Sequence, residues 1–210
     1  MSDDLLEFFD THHIDKAVVL GHSMGGKTAM FFALKHPERI SRLIVADISP
    51  KTYKNNDENK AENKKHEQII RAMQSIDWQN INSRKDIDNS LADTIKEKRV
   101  RQFLLKNSQK KGKNRYSWQL NIDAIAKNLP EIMKGITPDM IEKRKKEGMI
   151  GFPVLFIKGE KSNYISEKDV DYIKRIFPYS DIKTIKDAGH WLHAEKTEEF
   201  TQLVLDFVFG

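Results

Sequence analysis

The stretch Ala17–Phe31, AVVLGHSMGGKTAMF, constrains the fold more than any other part of the chain. Ala17–Leu20 is a short uncharged run, rich in valine, of the kind covered on both faces of a sheet. Thr28–Lys35 then spaces apolar side chains at three- and four-residue intervals until His36-Pro37, where proline disfavours further helix. Between the two, Gly21 and Gly25 flank Ser23 at two residues on either side, the G-x-S-x-G pattern. Small residues there let strand and helix approach while the serine takes a strained backbone conformation. Such a corner presents the hydroxyl at the top of a sheet, beside a helix N-terminus that favours negative charge. A plain glycine turn would carry the same letters, so the pattern gains meaning only from its flanking elements and its partners elsewhere.

The remainder alternates strands and helices around a different middle. Asp4–His12 places Leu5, Leu6, Phe8 and Phe9 on one helical side. Arg42–Ile48, Pro153–Lys158 and Ile182–Ile185 read as further strands, the last alternating as an outer strand does. Ser166–Phe177 reads as a helix opened by a Ser166-x-x-Asp169 capping pattern, and Glu195–Val208 as a closing helix. This alternation predicts an α/β fold, a mostly parallel sheet with helices on both faces. Residues 1–50 and 151–210 would form its core, and 51–150 an all-helical lid above the strand ends, where such sheets bind ligands. The lid begins with a lysine- and asparagine-rich loop at 51–65, too polar for a core. Ile69, Ile70, Met73 and Ile76 mark one of its helices, and Leu91, Ile95, Val100, Phe103 and Leu104 suggest others. Asn121–Leu129 is a shorter segment, and Thr137–Lys146 opens on Thr137-Pro138, an N-cap with proline at the first helical position.

Composition removes several classes. The 210 residues, 39% hydrophobic and 32% charged, suit one globular domain with a subdomain. No run of eighteen apolar residues is present to span a membrane, and MSDDLLEFFDTHHID is acidic rather than a basic, apolar secretory signal. Without cysteine there is neither disulfide nor thiolate chemistry, and no asparagine begins N-x-S/T. The net charge of +5 has a local source, since Lys96–Arg115 holds nine Lys/Arg against the single acid Glu97. Nucleic acid or anionic lipid would be drawn to such a patch. Arg115-Tyr116-Ser117-Trp118 sets aromatics beside base, yet no nucleic-acid-binding signature accompanies it, and the patch reads as a solvated helix face and loop. No nucleic-acid partner is expected.

A serine needs a base to take its proton, and the base needs an acid to orient it. The segment DAGHWLHAE, Asp187–Glu195, lies between the last strand and the closing helix, where a loop can bring His190 over the sheet edge. His190 and His193 stand three apart, but no third ligand sits at convincing spacing, so neither metal nor cofactor is expected. The acid is open to choice. The loop after Pro153–Lys158 reads Gly159-Glu160-Lys161-Ser162, and a serine cannot hold the charge that the role needs. Asp47, at the end of the neighbouring strand in VADISP, is preferred, ahead of Glu160 and then Asp123. The backbone N–H of Met24 is the expected oxyanion donor. Candidate substrate contacts are His22, Trp191 beside the base, and Phe103, Tyr116 and Trp118 in the lid, with Leu120 and Ile125 as further apolar positions. Lys27, just past the corner, reads as surface, with anion binding as its alternative.

VVLGHSMGG, the central insertion, PVLFIKGE and DAGHWLHAEK together resemble the α/β-hydrolase fold. GHSMGGKTAM, VADISP and GHWLHAEKTEEF are more closely similar to YbfF-type bacterial acyl esterases and their mitochondrial relatives. The resemblance implies Ser23 as nucleophile, His190 as general base and an acid at Asp47; many α/β-hydrolases instead carry the acid in a Gly-x-x-Asp after the strand matching PVLFIK, where Ser162 stands here. It implies a small-molecule acyl ester or thioester as substrate, cleaved through an acyl-enzyme. A catalytically inactive binding protein and a carbon–carbon-bond hydrolase are the alternatives on the same fold. It also implies that strands preceding Ala17 are missing, along with the loop that supplies the second oxyanion donor. The edge of Ala17–Leu20 would then be open, for completion by an N-terminal segment or a second chain. An intracellular protein of cytoplasm or mitochondrion is favoured, although no residue fixes the compartment.

Overall fold

The computed structural model describes residues 1–53, 60–112, 115–148 and 150–210, with side chains of 60–63 left aside. The chain runs through α1 (Ser2–Thr11), β1 (Ala17–His22), α2 (Met24–Lys35) and β2 (Ile40–Ala46). It continues with α3 (Lys60–Gln74), α4 (Arg84–Ala92), α5 (Lys98–Leu105), β3 (Ser108–Lys111), β4 (Arg115–Trp118) and α6 (Ile122–Ile132). Then come α7 (Pro138–Glu147), β5 (Val154–Gly159), α8 (Glu167–Ile176), β6 (Ser180–Ile185), α9 (Leu192–Glu195) and α10 (Thr197–Phe209). Two units result, Met1–Thr52 with Gly135–Gly210, and Tyr53–Lys134.

In the first unit the order β1-β2-β5-β6 makes an all-parallel sheet, as the alternation of strands and helices predicts. Register pairs His22 with Ala46, Ala46 with Ile157 and Gly159 with Ile185, so all four strands end along one edge. Alternation across β2 and β5 divides the core between two faces. Ile44, Leu155 and Ile157 join Ile185, Ala188 and Leu192 on one face, beneath Phe200, Leu203, Val204, Phe207 and Val208 of α10. On the other, Val45 approaches Gly26 of α2, and Phe156 meets Phe177, just past α8, at a ring separation of 5.9 Å. The second edge of β1 meets no strand among the described residues, and Val18 and Leu20 are 39% and 44% exposed.

The helix ends follow their sequence signals. Ser166 N–H and Oγ–H both donate to Asp169 Oδ2, at 2.7 and 2.8 Å, and Thr137 Oγ1 accepts from Met140 N–H ahead of Pro138. The closing helix read over Glu195–Val208 is α10, which starts at Thr197, and the short α9 precedes it, set apart at Lys196.

The middle of the chain departs from its predicted form in three ways. Gly135–150 belongs with the first unit, because Ile136 N–H donates to Pro50 O, Arg144 reaches Leu34 O, and Tyr172 Oη–H donates to Ile136 O. Of the predicted loop at 51–65, residues 54–59 lie outside the described residues, and helix α3 has already begun at Lys60. The Tyr53–Lys134 unit also contains an antiparallel hairpin, β3–β4, inside what reads as an all-helical stretch. SQKK and RYSW lack the apolar alternation that announces a strand. The hairpin is held instead by the Trp118 indole, which donates to Met73 O at 2.9 Å and meets Trp78 edge-on at 5.4 Å.

Phe156 is fully buried in the central strand β5. Phe156→Ala is expected to lower the unfolding free energy by about 3–5 kcal/mol, while Val18→Ala, on the open edge, changes it by no more than about 0.5 kcal/mol. Urea midpoints of the two variants check the contrast.

Candidate active site

Ser23 sits between β1 and α2 with φ 54° and ψ −117°, a left-handed conformation that costs roughly 1–3 kcal/mol for a residue with a Cβ. Its neighbours make the corner tight enough to hold it. A Cβ at Gly21 would run into the backbone of Gly25 and Gly26, so the strand can approach the helix only as glycine. Ser23 N–H donates to Ala46 O at 3.0 Å, fastening the corner to β2. Asp47, the residue after Ala46, is also left-handed, with φ 48°. Its own N–H donates to Ile157 O at 2.8 Å, extending the same lateral tie to β5.

These ties bring the three predicted groups together. Ser23 Oγ–H donates to His190 Nε2 at 3.1 Å, and His190 Nδ1–H donates to Asp47 Oδ2 at 2.8 Å. Asp47 is fully buried. Its other donors are Gly159 N–H, at 3.0 Å from Oδ1, and the Ser162 hydroxyl on Oδ2. Ser162, where an aspartate is absent, therefore donates to the carboxylate that comes from the adjacent strand. Such a line lets the hydroxyl lose its proton to the imidazole while the carboxylate faces the positive ring that results. Met24 opens α2, so its N–H belongs to the first turn, whose amides have no acceptor within the helix.

Glu160 does not face His190. Its Oε2 accepts from Asp187 N–H at 2.9 Å, while Lys161 N–H donates to Ala188 O at 2.8 Å and Lys161 Nζ pairs with Asp187 at 2.8 Å. Glu195 Oε2 accepts from Gly189 N–H at 2.9 Å. A Cβ at Gly159 would collide with the carbonyls of Ala188 and Gly189, which explains the small residue at the end of β5. The loop carrying His190 is thus pinned from β5 and from α9. Asp123, the remaining alternative acid, accepts from Gln74 Nε2 within the Tyr53–Lys134 unit.

His22 Nε2–H donates to His190 O at 2.8 Å, and its ring lies 4.7 Å from that of His190, 4.5 Å from His193 and 5.6 Å from Trp191. Burial, helped by the neighbouring His190, pushes its pKa down to about 4. Trp191, the residue before α9, lies 5.9 Å from His190 ring to ring. Phe103, Tyr116 and Trp118 belong to the Tyr53–Lys134 unit, in α5 and β4. Tyr164 stacks on the His190 ring at 4.0 Å, a contact that no motif marks because only the fold of the β5–α8 loop creates it. Among the described residues no group of three or more His, Asp or Glu side chains is placed to hold a metal ion, and no helix is long and apolar enough to cross a membrane.

Lys27 overturns its surface reading. It is 5% exposed, and its ammonium donates to Lys51 O at 2.9 Å, while Lys51 itself pairs with Asp169 at 2.9 Å. Burial, with Lys51 nearby, pushes the Lys27 pKa down from 10.5 to about 7. Between those values the unfolded chain binds the proton that the folded chain has released, so this group makes stability rise with pH. Below about 7 both states are protonated and its contribution is at its minimum. Lys27→Met is therefore expected to gain most over the parent at low pH, the advantage shrinking as pH climbs from about 6 to about 9.5. Paired urea titrations across that range measure the difference.

A sequence profile described as alpha/beta hydrolase fold matches residues 1–197. The sn-1-specific diacylglycerol lipase ABHD11 of Danio rerio is 36% identical over 99% of this chain. The chain spans 62% of that relative's length. Esterase YbfF of Escherichia coli is 31% identical over 94% of this chain and 69% of its own. A solved structure titled marine microorganism esterase superposes with a TM-score of 0.86 at 42% identity, covering 98% of this chain and 75% of that one.

Proposed function

The chain belongs to the α/β-hydrolase fold family, and from that premise we propose that it is a serine hydrolase cleaving carboxylic esters or thioesters of apolar acyl groups through an acyl-enzyme. The observation that carries this reading is the unbroken line from Ser23 Oγ through His190 to Asp47, at 3.1 and 2.8 Å. The similar proteins named as esterases and a diacylglycerol lipase support ester chemistry over the other reactions of the fold.

In this mechanism Ser23 Oγ attacks the acyl carbonyl as His190 Nε2 takes its proton. Asp47 keeps the imidazole in the Nδ1–H form and stabilises the imidazolium that follows. The Met24 N–H faces the developing oxyanion, a donor worth about 2.7–4 kcal/mol in the transition state. Collapse of the tetrahedral intermediate returns the proton from Nε2 to the departing alcohol or thiol. Water, activated by the same nitrogen, then releases the acid and restores Ser23. Trp191, beside His190, offers apolar surface to the acyl group. The left-handed backbone at Ser23 aims the nucleophile before substrate arrives.

A fluorophosphonate probe is expected to label the parent at Ser23 and to leave Ser23→Ala unlabelled. Failure to label the folded parent would favour an inactive binding protein. Asp47→Asn should lower turnover of a p-nitrophenyl ester by about 10⁴-fold. Glu160→Gln, which keeps an acceptor for the Asp187 amide, should lower it by no more than about tenfold.

A further inference from the structure

We propose that His22 is a positioning residue for His190, holding the main chain of the base while Ser23, its neighbour in sequence, meets the ring. This rests on the hydrolase reading for its catalytic consequence, though the contact itself is independent of any activity. His22 is the last residue of β1 and Ser23 the first after it. His22 Nε2–H donates to His190 O at 2.8 Å, and Ser23 Oγ–H donates to His190 Nε2 at 3.1 Å. Two consecutive residues therefore grip both ends of the same histidine, across a sequence distance of 168 residues for the first contact.

Asp47 and Ser23 fix the ring of His190, but neither bonds to its backbone. The loop before it is tied at Asp187, Ala188 and Gly189 by Glu160, Lys161 and Glu195. The His190 carbonyl ties this loop to the strand that presents Ser23. Losing that bond would let the imidazole drift along the sheet edge without unfolding the loop. A shift of about 1 Å can cost about 10²-fold in rate.

The choice of histidine for this task has an electrostatic reason. His190 must become positively charged during turnover, so a permanently charged donor beside it would oppose that step. The charged and titratable groups facing His22 are His190, His193 and Asp47, and the Trp191 ring closes a further side. Burial keeps the imidazole of His22 neutral down to about pH 4. It can thus donate to a carbonyl at 2.8 Å and add no cation to the site. With Nε2 committed to His190 O, only Nδ1 of His22 is left for the substrate contact read from sequence.

The test compares His22→Gln, whose amide can replace the Nε2–H donor, with His22→Phe, which keeps a ring and loses the donor. In His22→Phe, kcat for a p-nitrophenyl ester should fall at least about tenfold with KM changed by less than about twofold, and His22→Gln should recover most of the loss. Amide hydrogen exchange over residues 187–192 should quicken in His22→Phe and stay near the parent rate in His22→Gln. A raised KM at unchanged kcat would overturn the proposal in favour of substrate contact. Equal loss in two folded variants would show that the carbonyl bond is not what matters, and unchanged exchange in His22→Phe would show that the bond holds nothing. If the parent neither turns over ester nor takes the fluorophosphonate label, the hydrolase reading fails, and the exchange comparison still decides whether His22 holds the His190 loop.

Discussion

A carboxylate with no exposure to water has to be answered by donors, and at Asp47 the donors come from three directions. Gly159 N–H arrives from the end of β5, the Ser162 hydroxyl from the loop beyond it, and His190 Nδ1–H from the loop after β6. Each is in reach because parallel pairing ends the strands along one edge. Removing the carboxylate would leave a half-buried serine hydroxyl, an amide and an imidazole facing an unfilled acceptor position. The same group that orients His190 thus holds the sheet edge together.

Strain is placed at the same edge. Ser23 and Asp47 follow neighbouring strands, and both are left-handed, as is Asp187 in the His190 loop, with φ 60°. Each of the first two is compensated by a lateral main-chain bond, Ser23 to Ala46 and Asp47 to Ile157. The sheet on which they stand is rigid because Ile44, Val45, Leu155, Phe156 and Ile157 are all at most 2% exposed. Two apolar faces therefore support a row of polar groups that would otherwise relax.

Burial lowers the pKa of two nitrogen donors close to Ser23 in sequence. His22 is kept uncharged by burial next to His190, and Lys27, one turn into the helix that begins after Ser23, is pushed towards neutrality in the same way. Lys27 ties α2 to the chain that leaves β2, at Lys51, and Lys51 continues to Asp169 at the start of α8. Helix, strand exit and the next helix on that face are joined by these polar contacts in addition to their apolar packing.

Much of this was readable from residues alone. The corner at Gly21–Gly25, the apolar runs of β2 and β5, and the capping pairs at Ser166 and Thr137 are local signals, and local backbone preferences determine them. The β3–β4 hairpin was hidden because its strands are polar and depend on the Trp118 contacts with Met73 and Trp78. Lys27 looked like surface because a lysine one residue past a glycine pair carries no sign of burial. The choice among Asp47, Glu160 and Asp123 was likewise open to sequence, since all three are acids near plausible turns. What the chain determined by itself was the order of strands and helices around the parallel sheet and the residue types at each strand end. Which carboxylate meets His190, and that His22 meets its carbonyl, was decided only by the parallel register, because contacts between residues more than a hundred positions apart exist only once the sheet is assembled.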